Sequence, residues 1–211
     1  MIGTLYIISA PSGAGKTSLV SALVKSQSNL CTSISHTSRP QRPGEQDGIN
    51  YHFISIDAFH DMASAGAFLE HAQVFGNYYG THEAWVNEQL QKGIDVILEI
   101  DWQGAEQVRR RRSDATSVFI LPPSKETLYQ RLKDRAQDSQ DVIARRMAQA
   151  EEEMSHFVEY DYLVINDQFD EALAQLKAII TCHRLTLTKQ QIAQAPFLER
   201  LLNNPCDPSK Q

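Results

Sequence analysis

The sequence predicts an α/β domain, a parallel sheet flanked by helices and interrupted by two insertions. Three observations predict it. An apolar β-rich run, a glycine-rich loop and an amphipathic helical pattern follow one another within the first thirty residues. Three later apolar runs each lie near a helical pattern, as strands joined by crossover helices would. Two stretches, within residues 35–82 and 126–154, break that alternation. A length of 211 residues suits one large domain carrying inserted pieces, because domains usually hold roughly 100–200 residues.

Leu5-Tyr6-Ile7-Ile8-Ser9 is short and apolar and runs straight into a Pro/Gly turn, so it reads as a buried strand. From Lys16 the residues Leu19, Val20, Leu23 and Val24 recur at helical spacing until Ser26-Gln27-Ser28-Asn29 ends the pattern. Residues 36–56 carry Arg-Pro, Arg-Pro-Gly and Asp-Gly punctuation before Tyr51-His52-Phe53-Ile54, which predicts a loop with a small β insertion. Gly76 to Thr81 reads as turn-rich. Val96-Ile97-Leu98-Glu99-Ile100, Ser117-Val118-Phe119-Ile120-Leu121 and Tyr162-Leu163-Val164-Ile165 read as further buried strands. Helices are expected near residues 57–66, 82–92, 103–112, 124–135, 139–157 and 170–187. Residues 126–154 are mostly charged, which by composition describes a solvated helical hairpin. Past Thr188 the amphipathic signal fades. There Phe197, Leu198, Leu201 and Leu202 leave two readings open, a docking helix or a contact between subunits of a homo-oligomer.

Composition narrows the function classes. The chain is 42% hydrophobic and 22% charged, so it can build a core and is not of a disordered class. A net charge of −6 opposes broad attraction to nucleic acid or an anionic membrane while permitting a local cationic site. Arg109-Arg110-Arg111-Arg112 reads as a helix C-terminus whose cations complement the dipole, not as a nucleic-acid patch. Cys31, Cys182 and Cys206 are odd in number and lack C-x-x-C spacing, so neither a zinc site nor a disulfide framework is expected. His82-Glu83-Ala84-Trp85-Val86 lacks the second histidine of H-E-x-x-H. No apolar run approaches the ~18–20 residues that span a bilayer, and Met1-Ile2-Gly3-Thr4-Leu5 lacks a basic signal-type opening. A cytoplasmic protein is the expectation.

The strongest motif is Ala10-Pro11-Ser12-Gly13-Ala14-Gly15-Lys16-Thr17. It fits the phosphate-binding P-loop G-x-x-x-x-G-K-[ST] with Ala10 in place of the first glycine, between strand and helix as the motif requires. Gly13 and Gly15 allow backbone N–H groups to turn around phosphate oxygens, and the helix start at Lys16 points its positive end at the same anion. Lys16 adds a full charge, and Thr17 offers a hydroxyl to Mg²⁺. A methyl group at Ala10 disfavours a positive φ, so ordinary strand-end dihedrals are expected there. The loop implies nucleoside triphosphate binding but leaves the reaction open among GTPases, motor ATPases and small-molecule kinases.

A second set of residues suits an anionic, guanine-like ligand. Arg39 and Arg42 stand three residues apart on a proline-stiffened segment ending Gly44-Glu45, suited to forked hydrogen bonds with phosphate. Tyr51 and Tyr79 add neutral donors. Guanine presents N1–H and N2–H₂ donors where adenine offers an acceptor, so an ionised Glu70 favours the first and repels the second. Glu99 and Asp101 alternate along one predicted strand and so share a face at the sheet edge.

The chain closely resembles the guanylate kinase family, bacterial type, from about Leu5 to Leu187. The likeness rests on Ala10 to Thr17, Ser35-His36-Thr37-Ser38-Arg39-Pro40-Gln41-Arg42-Pro43-Gly44-Glu45, Gly76-Asn77-Tyr78-Tyr79-Gly80-Thr81, Ile100-Asp101-Trp102-Gln103-Gly104 and Val164-Ile165-Asn166-Asp167. It implies a P-loop NTPase-type sheet within a domain of residues 1–187. The core would comprise 1–34, 83–125 and 155–187, with a GMP-binding insertion at 35–82, a lid at 126–154 and a C-terminal appendage at 188–211. It implies transfer of the ATP γ-phosphoryl group to GMP or dGMP with Mg²⁺, and no nucleic-acid or membrane partner. By the same likeness Arg39, Arg42, Tyr51 and Tyr79 hold the GMP phosphate, with Glu45 in the substrate-binding segment. Ser35, Glu70 and Thr81 read guanine, and Asp101, with Glu99 beside it, lies near both nucleotides, reaching the metal through water.

The likeness also makes Arg131, Arg135 and Arg146 lid cations that fold over the donor phosphates. With Lys16, Arg39 and Asp101 they form the implied catalytic set. This lid departs from the family pattern of glycine on both sides of the middle arginine, since Asp134 and Ala136 stand there. Two rivals remain at this stage, a kinase for another nucleoside monophosphate and an interaction module that has kept the fold and lost catalysis.

Overall fold

The computed structural model describes residues 3–74, 76–135 and 140–203, without the side chains of 134, 135, 140–145 and 203. A five-stranded sheet is built from β1 (Leu5–Ser9), β2 (Leu30–Thr32), β7 (Asp95–Glu99), β8 (Thr116–Leu121) and β9 (Tyr162–Ile165), in the order β2-β7-β1-β8-β9. Every pairing in it is parallel, with β1 at the centre. The alternation of β1 explains both faces. Tyr6 and Ile8 pack with Leu19, Val20 and Leu23 of α1 (Lys16–Ser26) and with Leu176 and Ile180 of α7 (Phe169–Arg184). Leu5 and Ile7 pack the other way, with Val86 and Leu90 of α3 (Glu83–Gln91) and Ala105 and Val108 of α4 (Trp102–Arg111). Apolar residues on both faces of one strand are the mark of a sheet covered on both sides, and they explain why these strands read as continuous apolar runs.

The first insertion is a sheet in its own right. Strands β3 (His36–Thr37), β4 (His52–Phe53), β5 (Phe68–Val74) and β6 (Asn77–His82) lie in the order β4-β3-β6-β5, joined by α2 (Ile56–Ser64). The sequence predicted a small β element here but read Gly76 to Thr81 as turn-rich. Gly76 turns with a φ of 77°, and Asn77–His82 pairs antiparallel with β5, with a register shift between Phe68 and Glu70. Asn and Gly are turn formers, yet Gly80 serves strand packing. A Cβ there would stand 3.0 Å from the Phe68 ring. The short edge strand β2 was not foreseen either.

The second insertion is an antiparallel hairpin of α5 (Lys125–Arg135) and α6 (Gln140–Ser155), closed by a small core of Leu128, Leu132 and Ala150. A 3₁₀ turn, His156–Glu159, leads back to β9. The tail, where the amphipathic signal fades, is helical through residue 203 as α8 (Leu187–Ala193) and α9 (Ala195–Asn203). Helix α8 is held by Lys189 on the Thr4 hydroxyl and by Gln190 donating to the Arg184 carbonyl at 2.9 Å. On α9 Phe197, Leu201 and Leu202 are exposed. Residues 204–211, with Cys206, lie outside the described residues, while Cys31 and Cys182 are free thiols.

Three loops that carry candidate residues leave the same C-terminal edge of the sheet, where ligands of open α/β folds bind. They follow β1, β7 and β9. The core under that edge should be unforgiving. Leu98, fully buried, should cost about 2–5 kcal/mol as Leu98→Ala, read from urea melts.

Candidate active site

The P-loop turns as the motif demands. Gly13 and Gly15 both have φ of 91°, in the left-handed region, whereas Ala10 is not among the residues of positive φ and keeps the ordinary dihedrals expected of it. Both glycines are needed for space as well. A Cβ on Gly13 would lie 3.0 Å from the Leu128 and Leu132 side chains, and one on Gly15 would lie 2.5 Å from Asn166 Nδ2. That amide donates to the Ala14 carbonyl at 2.7 Å, so the loop after β9 braces the loop after β1. The sequence alone assigns Asn166 no task. The signal was its place directly after a buried strand of the same sheet.

Lys16 opens α1, and its Nζ donates to the Ile100 carbonyl at 3.2 Å. Enclosure holds this ammonium below the ordinary lysine range, while Glu99, Asp101 and Glu153 pull it back up. Thr17 lies in the first turn with an exposed side chain, and Ser12 is exposed on the loop. The Ser12 backbone N–H donates to Glu153 Oε2 of α6 at 3.0 Å, a contact between residues 141 apart that no sequence pattern announces.

A cavity of about 150 Å³ opens beside the loop, lined by Ser35, Tyr51, Glu70, Tyr79, Glu99 and Asp101 together with Ala72, Val74 and Ile100. Six residues of the predicted acceptor set are thereby brought together from β5, β6, β7 and the loops around them. Glu70 is only 4% exposed, and Oε1 accepts the Thr81 hydroxyl at 2.6 Å. Thr81 therefore buttresses the carboxylate from behind and is not among the residues lining the cavity. Gly104 in the first turn of α4 sits so close that a Cβ would stand 2.7 Å from Glu70 Oε2. Burial, aided by Asp101 and opposed by the Thr81 hydrogen bonds, pushes the Glu70 carboxyl from an ordinary 4.5 up to about 7.

One expectation changes. Glu99 and Asp101 do not alternate along one strand, because β7 ends at Glu99 and Asp101 is the N-cap of α4, its Oδ1 accepting the Gly104 N–H at 2.9 Å. The cap still aims Asp101 at the cavity, so both carboxylates line it by different routes. Glu45 is occupied within its own loop. It pairs with Arg39 at 2.7 Å and accepts the Arg42 N–H at 2.8 Å. Arg39 is further held over the Tyr51 ring, 5.4 Å from its centroid, while Arg42 is exposed. The pair lowers the Glu45 carboxyl and raises the Arg39 guanidinium.

Above the P-loop, Arg131 of α5 donates to the Asn166 carbonyl at 3.1 Å, and its other terminal nitrogen is buried without a hydrogen-bond partner. Arg146 lies half-buried on α6. The side chains of Asp134 and Arg135 and all of Ala136 fall outside the described residues. A second cavity, about 220 Å³, lies between the small sheet and the hairpin, lined by Gln73, Val74, Asp101, Trp102, Gln149 and Glu153 among others. Asp101 and Val74 thus face both spaces. Where α6 gives way to the 3₁₀ turn, His156 stacks on Trp102, with ring centroids 3.8 Å apart.

The arginine run ends α4 as predicted and is engaged internally. Arg109 pairs with Glu159, Arg110 with Glu106, Arg111 with Glu83 and Arg112 with Asp114. Among the histidines, His82 caps α3 through Nδ1, and His36 stands against His52 with ring centroids 4.7 Å apart. Among the described residues no group of three or more His, Cys, Asp or Glu side chains is arranged to hold a metal by itself.

Comparison with known proteins places this geometry. The family model described as guanylate kinase matches residues 2–183. A curated guanylate kinase of Hahella chejuensis is 60% identical over 202 residues, covering 96% of this chain and 97% of that one. One of Saccharophagus degradans is 59% identical over 201 residues, covering 95% and 98%. The crystal structure of guanylate kinase from Anaplasma phagocytophilum superposes with a TM-score of 0.75 at 29% identity, covering 93% and 96% of the two chains.

The site's geometry yields two expected outcomes. Because the folded chain holds the Glu70 proton more tightly than the unfolded chain, Glu70's contribution to stability is whole below pH about 4.5 and is lost as pH rises through about 7. Urea melts at pH 5 and pH 8 should show a loss in the native chain that Glu70→Gln lacks. Gly15→Ala should destabilise by at least about 1–2 kcal/mol, the cost of a left-handed alanine before any displacement of Asn166, in the same assay.

Proposed function

Because the chain belongs to the guanylate kinase family and is a nucleoside monophosphate kinase, we propose that its P-loop takes the phosphates of ATP and its small-sheet cavity takes GMP. The observation that carries this reading is the buried Glu70 carboxyl in a cavity that meets the surroundings of Lys16 at Glu99 and Asp101. A carboxylate can only accept, so it pairs with the N1–H and N2–H₂ of guanine and leaves adenine's N1 facing a like lone pair. The raised pKa means that the site must hold this group ionised when guanine is bound, and two donors aimed at it favour that form.

The phosphate of GMP is taken by Arg39 and Arg42, with Tyr51 and Tyr79 donating their hydroxyls. Glu45 is a positioning residue, fixing the Arg39 fork and the turn that carries Arg42. Ser35 lines the base side of the cavity. Acceptors that differ only at the ribose 2′ position, GMP and dGMP, meet the same base and phosphate groups. Residues 35–82 act as the acceptor arm, 126–154 as the lid and the remainder of 1–187 as the core.

In the reaction a GMP phosphate oxygen attacks the γ-phosphorus of ATP in line. The bond to the β,γ-bridging oxygen breaks, and ADP leaves with that electron pair, giving GDP. The acceptor oxygen is already anionic, so no strong base is required. Lys16 and the lid arginines Arg131, Arg135 and Arg146 supply cations around the group in transit, which is the main lever available to a protein in a loose phosphoryl transfer. The residues fit Mg²⁺, which the Thr17 hydroxyl and, through water, Asp101 would hold. Oxygen donors of this kind suit Mg²⁺, which also takes substrate phosphate oxygens. Bound there, Mg²⁺ would neutralise developing charge on phosphate oxygens. The free thiols Cys31 and Cys182 suit a reducing cytoplasm, and no described helix is long and apolar enough to cross a membrane. The exposed face of α9 suits a subunit contact.

A coupled ADP-release assay over GMP, dGMP, AMP, CMP, UMP and dTMP tests the reading, with turnover expected for the first two. Best turnover with AMP would overturn the base assignment. Glu70→Gln, which can donate as well as accept, should lower the ratio of GMP to AMP specificity by about 10²-fold or more, measured as kcat/KM.

A further inference from the structure

Glu153 belongs to no predicted site, yet its carboxylate stands in the donor loop. Its Oε2 accepts the Ser12 N–H at 3.0 Å, and it lies in the electrostatic field of Lys16. Backbone N–H groups of a P-loop are aimed at anions, and here an anionic side chain from the lid hairpin takes one of them. The helix that carries it is fixed at both ends of its reach. Met147, Ala150 and Met154 of α6 pack against Leu128 and Leu132 of α5, which leave no room for a Cβ on Gly13. Just beyond Glu153, His156 is stacked on Trp102, next to Asp101. On its other side Glu153 faces the cavity of about 220 Å³ that it shares with Asp101.

We propose that Glu153 is an internal anion of the donor site, holding through the Ser12 N–H the place of a phosphate oxygen, so that donor entry and release of the Glu153 carboxylate from the loop are a single event. The proposal rests on the donor reading of the P-loop given above. A lone carboxylate competes with every incoming anion. Polyphosphates, with several charges and many acceptor oxygens, overcome it through contacts to Lys16 and the rest of the loop, whereas a small anion cannot. Glu153 thus acts as a specificity-determining residue that sets a threshold of charge for entry. It also makes the hairpin sense the loop's occupant, because the same side chain reports on both. Burial pushes the Glu153 carboxyl upward, opposed by the Ser12 N–H and Lys16, which agrees with a group that is held in place at some desolvation cost.

The test is calorimetric titration of the full chain with inorganic pyrophosphate, native and as Glu153→Gln, which keeps the shape and an acceptor for Ser12 while removing the charge. The variant should bind pyrophosphate about three- to tenfold more tightly, as removal of one nearby like charge predicts. Its KM for ATP should fall while its KM for GMP stays within about twofold, a split that general loosening of the fold would not produce. A variant that binds pyrophosphate equally or less tightly overturns the proposal. A native chain that binds no pyrophosphate at all overturns the donor reading and this one with it. A second measurement needs no variant. Carbon-13 spectra of the native chain should show the Glu153 carboxyl resonance moving toward its solvent-exposed position as pyrophosphate saturates the loop, and a resonance that stays fixed at saturation overturns the proposal.

Discussion

An ammonium enclosed among three carboxylates organises this molecule. Lys16 belongs to the loop after β1, donates to the carbonyl that follows β7 and lies in the field of Glu99, Asp101 and Glu153. Each of those acids comes from a different part of the chain: the end of a core strand, the cap of a core helix and the lid hairpin. Their placement makes sense only around a cation, since three carboxylates converging without one would repel strongly. The parallel sheet is what allows the convergence, because it delivers the loops after β1, β7 and β9 to one edge. Donor loop, acceptor cavity and lid therefore share an electrostatic centre while resting on separate elements.

The acceptor region uses a different device, a pair of carboxyl groups whose surroundings push them in opposite directions. Glu45 is pinned as an anion by the Arg39 guanidinium and the Arg42 N–H in an exposed loop. Glu70 is buried and poised near neutrality, steadied by one hydroxyl from Thr81. The first keeps a phosphate clamp in shape whatever the ligand does. The second commits to its charged form only when donors arrive to meet it, so the chemistry of the base decides its state. Exposure and burial thus assign positioning to one acid and discrimination to the other.

Much of this was legible in the sequence for local reasons. The P-loop announces itself because its geometry is set by glycines within six residues, and the strand and helix on either side carry unmistakable periodicities. Helix α4 and its terminal arginines could be read for the same reason. What escaped reading was decided by distant partners. Asn77–His82 becomes a strand because β5 and β3 flank it, and Gly80 becomes a packing residue because Phe68 lies across it. Asp101 looked like the next step of a strand, yet the Gly104 N–H made it a cap. Thr81 gives its hydroxyl to Glu70 on the neighbouring strand, and the meeting of Glu153 with Ser12 bridges most of the chain. Residue type reveals chemistry, but which neighbour receives it is a property of the folded topology.

The sheet order sets a timetable for a ribosome-bound chain. Strand β1 is synthesised first and ends at the centre of the sheet, while its two neighbours begin at residues 95 and 116. Its edges must therefore wait for about ninety further residues before either neighbouring strand can pair with it, although α1 and α3 can cover its two faces before then. Non-local parallel pairing of this kind is slow and leaves early segments exposed to wrong partners. The P-loop follows that strand directly, so the phosphate cradle waits longer still, since its brace from Asn166 emerges only after β9.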